Sequence, residues 1–191
     1  MSTTITVAPR EIHDLAYRAG CVAGCDAGTA ERIAHNVTFS EIHHGAAVRA
    51  FCEALETHAL PASSWVAAPD ALAAAELAAR NDDITSTTFE PGVPLAAIAG
   101  TLQQSLERGV APTRFDADAR GDTSVATIEL CLVDDEAVSA RRALIADAHN
   151  EAYRHGLAVE RIWFSRLEAA AATYLVAEST LDEIDSRSCV A

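Results

Sequence analysis

Residues 26–58, DAGTAERIAHNVTFSEIHHGAAVRAFCEALETH, decide the architecture. Wound at 100° per residue, Ala30, Ile33, Ala34, Val37, Glu41, His44, Val48, Phe51, Cys52 and Leu55 fall on one stripe, the period of an amphipathic helix. All of them except Glu41 and His44 are apolar or small. Phe39, Ile42, Ala46 and Ala50 form a second apolar patch on the opposite side, so the middle of the segment is expected to be covered on both faces, as a central or interface helix is. Asp26 suits the N-cap and Pro61 marks the far limit. Gly45 lowers helix stability by about 1 kcal/mol relative to alanine, which predicts either close packing or a break beside His44.

The rest of the chain is arranged around this segment. Pro9 opens a helix in which Ile12, Leu15, Ala16, Ala19 and Val22 share a face; it closes at Gly20 to Gly24 and pairs antiparallel with the long segment. Thr3 to Val7 precedes it as a short strand, and Trp65-Val66 forms another within the connector from Leu60 to Pro69. An alanine-rich helix follows from Asp70 to Arg80. Ile84 to Phe89 is expected as a strand, Pro94 to Arg108 as a helix, and Arg114 to Asp116 as an edge strand.

Ser124 to Val133 alternates most clearly. It sets Ala126, Ile128, Leu130 and Leu132 on one face and Val125, Thr127, Glu129 and Cys131 on the other. Acidic residues 134–136 then start a helix to His155, burying Val138, Ile145, Ala152 and Tyr153 with Arg142 and His149 on the same face. The last helix, Glu160 to Leu181, carries Trp163, Phe164, Leu167, Ala170, Ala171 and Tyr174 on a stripe that continues to Glu178. These elements predict an α+β fold: residues 1–181 as one mainly helical domain around the long central helix with a small sheet, and 182–191 as a flexible tail.

Composition narrows the function. The chain has 191 residues and 41 alanines with few aromatics, so close helix contact through small side chains must supply much of the packing. It has 14 arginines, no lysine and 28 acidic residues, for a formal charge of −14. Such a surface repels nucleic acid and anionic membranes, and neither is expected as a partner. A salt-rich cytoplasm or a GC-rich genome would each account for the bias. No apolar run reaches the ~18 residues of a spanning helix and the N-terminus has no signal-peptide pattern, which predicts a cytoplasmic protein. Five cysteines without a Cys-x-x-Cys pair are expected to be reduced, and Cys21 and Cys25 could share a metal only if one helix ran through both. Neither a Gly-rich phosphate loop nor a Gly-x-Ser-x-Gly elbow occurs.

The chemistry is expected at Glu41-Ile42-His43-His44-Gly45. Side chains three apart on a helix share a face, so Glu41 could orient or charge His44, and His44 would move protons on a small polar metabolite near neutral pH. His149, Arg142 and Glu178 lie on inward stripes and would complete the pocket, His149 as a third catalytic group and Arg142 as a carboxylate clamp. The bland alternative is a set of buried polar residues satisfied by their neighbours. His13, His35, His43, His58 and His155 are expected at the surface or at helix ends. Glu-x-x-His is also a di-iron spacing, but that site needs a second copy of the motif, which the sequence lacks; no metal and no cofactor are assigned.

Two resemblances add to this. Glu11 to Leu55, with Arg18-Ala19-Gly20, Ala23-Gly24 and Glu41-Ile42-His43-His44-Gly45, resembles the N-terminal helical pair of the type-2 malate/L-lactate dehydrogenases, in which a Ser-His-Gly motif supplies the acid/base histidine. The resemblance implies that role for His44. His43 stands where that family has its serine, and the remaining chain is too short for the family's nicotinamide domain, so NAD is not carried over. With Trp163, Leu167-Glu168, Thr173-Tyr174 and Glu178-Ser179 included, both ends of the chain resemble a bacterial family known only as a domain of unknown function, which implies a place in small-molecule metabolism.

The sequence therefore predicts a small cytoplasmic enzyme using a His/Glu acid–base pair. The alternative is a non-catalytic accessory subunit or oligomeric binding module. In that case a homo-oligomer or partner enzyme subunit would sit on a pocketless apolar surface over Phe39, Ile42 and Ala46.

Overall fold

The computed structural model describes residues 3–174 apart from Asp83, Phe115 and Ala117. In chain order its elements are β1 (Thr4–Val7), α1 (Pro9–Val22), α2 (Ala27–His43), α3 (Ala47–Glu56), α4 (Ser64–Ala79), β2 (Thr85–Pro94), α5 (Ala99–Glu107), β3 (Val110–Pro112), β4 (Ser124–Leu132), α6 (Asp135–His155), β5 (Leu157–Glu160) and α7 (Arg161–Ala171). The fold is α+β and mainly helical, as the periodicities predict. Its strands form two small antiparallel sheets rather than one: β1 pairs with β5, and β4 lies between β2 and β3.

α2 is the centre. Asp26 caps it, accepting from the Thr29 amide at 3.0 Å. α1 folds back along it, and α5, α3, α6 and the 3-10 turn Leu95–Ala97 pack around the remaining sides. The six consecutive residues from Asn36 to Glu41 are all buried, so the helix is enclosed on every side over that length. Asn36, wholly buried, accepts from the Thr101 amide at 2.8 Å and so pins the first turn of α5 to α2. Gly100 makes that approach close, since a Cβ there would meet the His35 ring at 2.6 Å.

The expected single helix through residue 58 is two helices. α2 stops at His43, Gly45 (φ +65°) and Ala46 (φ +57°) turn through the left-handed region, and α3 restarts at Ala47. The break, not close packing, explains Gly45: its Cβ position is open, but its backbone conformation favours glycine. The stripe survives the break because α3 resumes nearly in phase; Val48, Phe51 and Cys52 are buried with Ile33, Ala34 and Val37.

Other boundaries differ for identifiable reasons. Trp65-Val66 is not a strand, because Ser63 caps a helix through Pro69 and on to Ala79, burying Trp65, Ala68, Leu72, Ala75 and Ala79. That burial outweighs a proline whose interior cost is about 3 kcal/mol. The edge strand lies at Val110–Pro112 rather than at residues 114–116, because it is there that the backbone meets β4. On β4, Ile128 and Leu130 face inward as the alternation predicts, while Leu132 is left exposed at the strand end. Tyr153, expected inside, is exposed; α6 buries only Val138 and Ala152. α7 passes into a 3-10 turn at Ala172–Tyr174, and the continuation to residue 181, Glu178 and the 182–191 tail lie outside the described residues. Among the described residues no helix is long and apolar enough to cross a membrane.

Candidate active site

The α2–α3 elbow gathers the polar residues of the central segment. Ala46 stands at the N-cap of α3 and offers no side-chain acceptor. Glu41, seven residues before Val48, supplies one: its Oε2 accepts from the Val48 amide at 2.9 Å. The carboxylate is buried, and burial raises its pKa, an effect that the amides of Val48, Ala47 and Ala46 and the charge of Arg120 partly offset.

A loop from β3 to β4 latches onto the elbow. The Gly121 amide donates to the Gly45 carbonyl at 2.9 Å, and the Ala96 amide donates to the Gly121 carbonyl at 2.9 Å, so residue 121 is held between the elbow and the Leu95–Ala97 turn. Arg49 on α3 adds an ion pair to Asp122 at 3.6 Å. The latch brings the Ala119 carbonyl to 3.1 Å from His44 Nδ1. A carbonyl only accepts, so Nδ1 donates this bond and Nε2 carries the lone pair of the neutral ring. Burial lowers the His44 pKa, partly offset by Ala119, and the neutral tautomer is the one present at pH 7.

His44 lines two cavities. One, about 460 Å³, has apolar walls from Phe39, Leu102, Leu106, Pro112, Leu144 and Ile145, with His43, His44, Gln103 and Arg141 as its polar groups. The other, about 250 Å³, is polar and includes Glu41, Arg49, Arg120, Glu160 and Trp163. An apolar volume with a few convergent polar side chains is the usual form of a small-molecule site.

A histidine cluster adjoins the first cavity. The His43 ring stacks on Phe39 with centroids 4.3 Å apart, and meets His149 of α6 edge-on at 5.0 Å and His44 at 6.3 Å. Burial, with His149 and His44 nearby, pushes the His43 pKa down to about 4. Burial also lowers His149, partly offset by the Ile145 carbonyl, and His35. These are neutral imidazoles at pH 7.

Of the expected site residues, the structure places Glu41 and His44 together at the elbow and His149 one ring away, against His43. Arg142 is not with them: it is exposed and borders a small crevice with Glu107 and Val138, while Arg141 faces the His44 cavity. The expected face of α6 holds, with Val138 and Ala152 buried and Ile145 and His149 half-buried, but the His44 cavity lies to one side of that stripe, where Arg141 reaches it and Arg142 does not. Glu178 lies outside the described residues. His43 and Gln103 were missed as well. His43 was expected at the surface or at a helix end, and it does end α2, but helix projection cannot foresee α6 crossing over that end and half-burying the ring. Its signal was only the adjacency of two histidines to Gly45.

Among the described residues no group of three or more His, Cys, Asp or Glu side chains is placed to hold a metal ion. Cys21 and Cys25 are free thiols on either side of the end of α1, which closes at Val22. Comparison of the chain with protein-family models, with curated proteins and with solved structures returns no match.

Proposed function

We propose that the protein is a small cytoplasmic enzyme of bacterial small-molecule metabolism in which His44 moves a proton on a polar metabolite bound in the 460 Å³ cavity. The observation that carries this reading is the Ala119 carbonyl at His44 Nδ1. It holds one tautomer of a neutral imidazole at the wall of a cavity, with Nε2 as the proton-accepting atom, and it stabilises the imidazolium formed when that atom takes a proton. Arg141 and Gln103 are the groups suited to binding the polar end of a ligand, and the leucines and Ile145 its apolar body. Glu41 acts by holding the elbow through Val48 and so positioning His44.

The cover over Phe39 favours the enzyme over the accessory-subunit alternative. Phe39 is buried, and with Ile42 it borders a further cavity of about 400 Å³, so the pocketless apolar surface that an interface on α2 would use is missing there. The acidic charge supports a partner list without nucleic acid or anionic membrane.

The test is a thermal-shift screen of metabolites and divalent metals against wild type, His44→Ala and Arg141→Ala. A compound that stabilises wild type and fails to stabilise both variants supports the site and names its ligand class. No hit on wild type, with His44→Ala merely melting lower, would assign His44 to structure and turn the search to protein partners.

A further inference from the structure

Between α1, α2 and α6 lies a cavity of about 400 Å³ that shares only Phe39 with the His44 cavity. One wall is a row of four rings, His35 and Phe39 of α2 followed by His149 and Tyr153 of α6, with successive centroids 6.4, 5.8 and 6.4 Å apart. The chain carries 28 acidic residues, yet among the described residues none lines this cavity, and Arg10 of α1 does. Arg10 makes no ion pair among the described residues, whereas His13, the other α1 residue at the wall, meets Glu31 at 3.3 Å. Thr38 also lines the cavity; it is 7% exposed, and its Oγ1 is buried with no hydrogen-bond partner among the described residues. A buried hydroxyl is seldom left unpaired, and a helical threonine can donate to the carbonyl four residues back, so the fold itself leaves Thr38 without an acceptor.

We infer that this cavity is a second binding site, one that takes a small aromatic carboxylate. The Arg10 guanidinium pairs with the carboxylate, the row of rings packs on the ligand's own ring, and a ligand oxygen supplies the acceptor that the Thr38 hydroxyl lacks. Ile42 adds an aliphatic contact. The volume lies at the lower end of the range for small-molecule sites, which suits a ligand of one or two rings. The row of rings decides between anions: an inorganic or short aliphatic anion could pair with Arg10 but would leave that wall unused. The inference does not require His44 to be catalytic, because neither His44 nor Arg141 lines this cavity.

The experiment is a proton–nitrogen NMR titration of the full chain with benzoate, benzamide and inorganic phosphate. Benzoate is expected to shift amides around Arg10, Thr38 and His149 and to saturate at about millimolar concentration or below. Benzamide keeps the ring without the charge, and phosphate keeps the charge without the ring; each is expected to bind about tenfold more weakly or worse. Arg10→Gln, at an exposed position, is expected to lower benzoate affinity about tenfold. Thr38→Val removes an unpaired hydroxyl, so it should melt no lower than wild type while weakening benzoate about threefold. Arg141→Ala should leave benzoate affinity unchanged, so this test and the screen at the His44 cavity fail independently. The absence of saturable shifts, benzamide or phosphate binding as tightly as benzoate, an Arg10→Gln variant that binds like wild type, or a loss of affinity on Arg141→Ala would overturn the proposal.

Discussion

The Gly121 amide sits 2.9 Å from the Gly45 carbonyl, and a Cβ at Gly121 would lie 2.7 Å from that same oxygen and 2.9 Å from the Ala47 nitrogen. These are backbone atoms of the elbow and cannot rotate aside. Gly121→Ala is therefore expected to push the loop off the elbow and withdraw the Ala119 carbonyl from His44 Nδ1. Thermal denaturation should show a loss of about 1–3 kcal/mol. Nitrogen NMR of the imidazole should show His44 changing from a single tautomer to a mixture. An unchanged tautomer in a folded variant would mean that the latch does not fix it.

Glu41 separates two roles by substitution. Glu41→Ala leaves the Val48 amide without its acceptor and should cost about 1–2 kcal/mol, as the loss of a helix cap does. Glu41→Gln keeps a carbonyl oxygen in reach of Val48, so most of that stability should return in chemical denaturation. If Glu41 also transfers protons, Gln will restore stability without restoring turnover of whatever substrate the screen identifies. Recovery of both would confine Glu41 to holding the elbow.

Much of this fold was legible from periodicity, and what was not legible depended on contacts far apart in sequence. The alternation in 124–132 and the stripe through Ile33, Val37, Val48 and Phe51 were enough to place β4 and the central segment, because burial follows period. The division at His44 was half legible: Gly45 marked the place, but Ala46 in a left-handed conformation has no sequence signature, since glycine or asparagine is the residue expected there. Arg141 and His43 needed the position of α6, which local sequence does not give. The Gly121 latch and the Glu76 cluster likewise join segments that lie tens of residues apart.

That cluster is the strongest electrostatic feature away from the elbow. Glu76 on α4, buried, accepts from Arg108 Nε at 2.7 Å and Nη2 at 2.6 Å, from Ser105 Oγ at 2.9 Å and from Arg80 at 3.1 Å. These donors, Arg108 first, hold its pKa down to about 2. A depressed carboxylate contributes stability that is full above its ordinary value near 4.5 and is lost as pH falls towards 2. Glu76→Ala should cost about 1–2 kcal/mol at neutral pH, because the partly exposed Arg108 and Arg80 can turn to water and only the buried Ser105 hydroxyl loses an acceptor inside the protein. The gap between wild type and Glu76→Gln in urea melts should narrow across pH 4.5 to 2; a gap independent of pH would show that the ion pairs contribute little.

The histidine cluster acts in the window just above. His43 is lowered from 6.5 to about 4. Between these values the unfolded chain binds a proton that the folded chain does not, so stability is full above about pH 6.5 and falls as pH drops to 4. The slope is up to about 1.4 kcal/mol per pH unit for His43 alone. His44, His35 and His149, lowered in the same direction by burial, steepen the fall. His43→Phe keeps an aromatic ring against Phe39 and removes the titration. Urea melts of this variant should therefore lose less stability than wild type between pH 6.5 and 4, and proton NMR of wild type should place the His43 titration near pH 4. The same low pKa gives the site a pH signature. An anion bound beside Arg141 would favour the imidazolium of His43 or His44, so its binding should take up a proton and tighten as pH falls below 6.5 towards 4. Calorimetry in buffers of different ionisation enthalpy measures that uptake directly. An anionic ligand that binds at the His44 cavity without any proton uptake would place its charge away from both histidines.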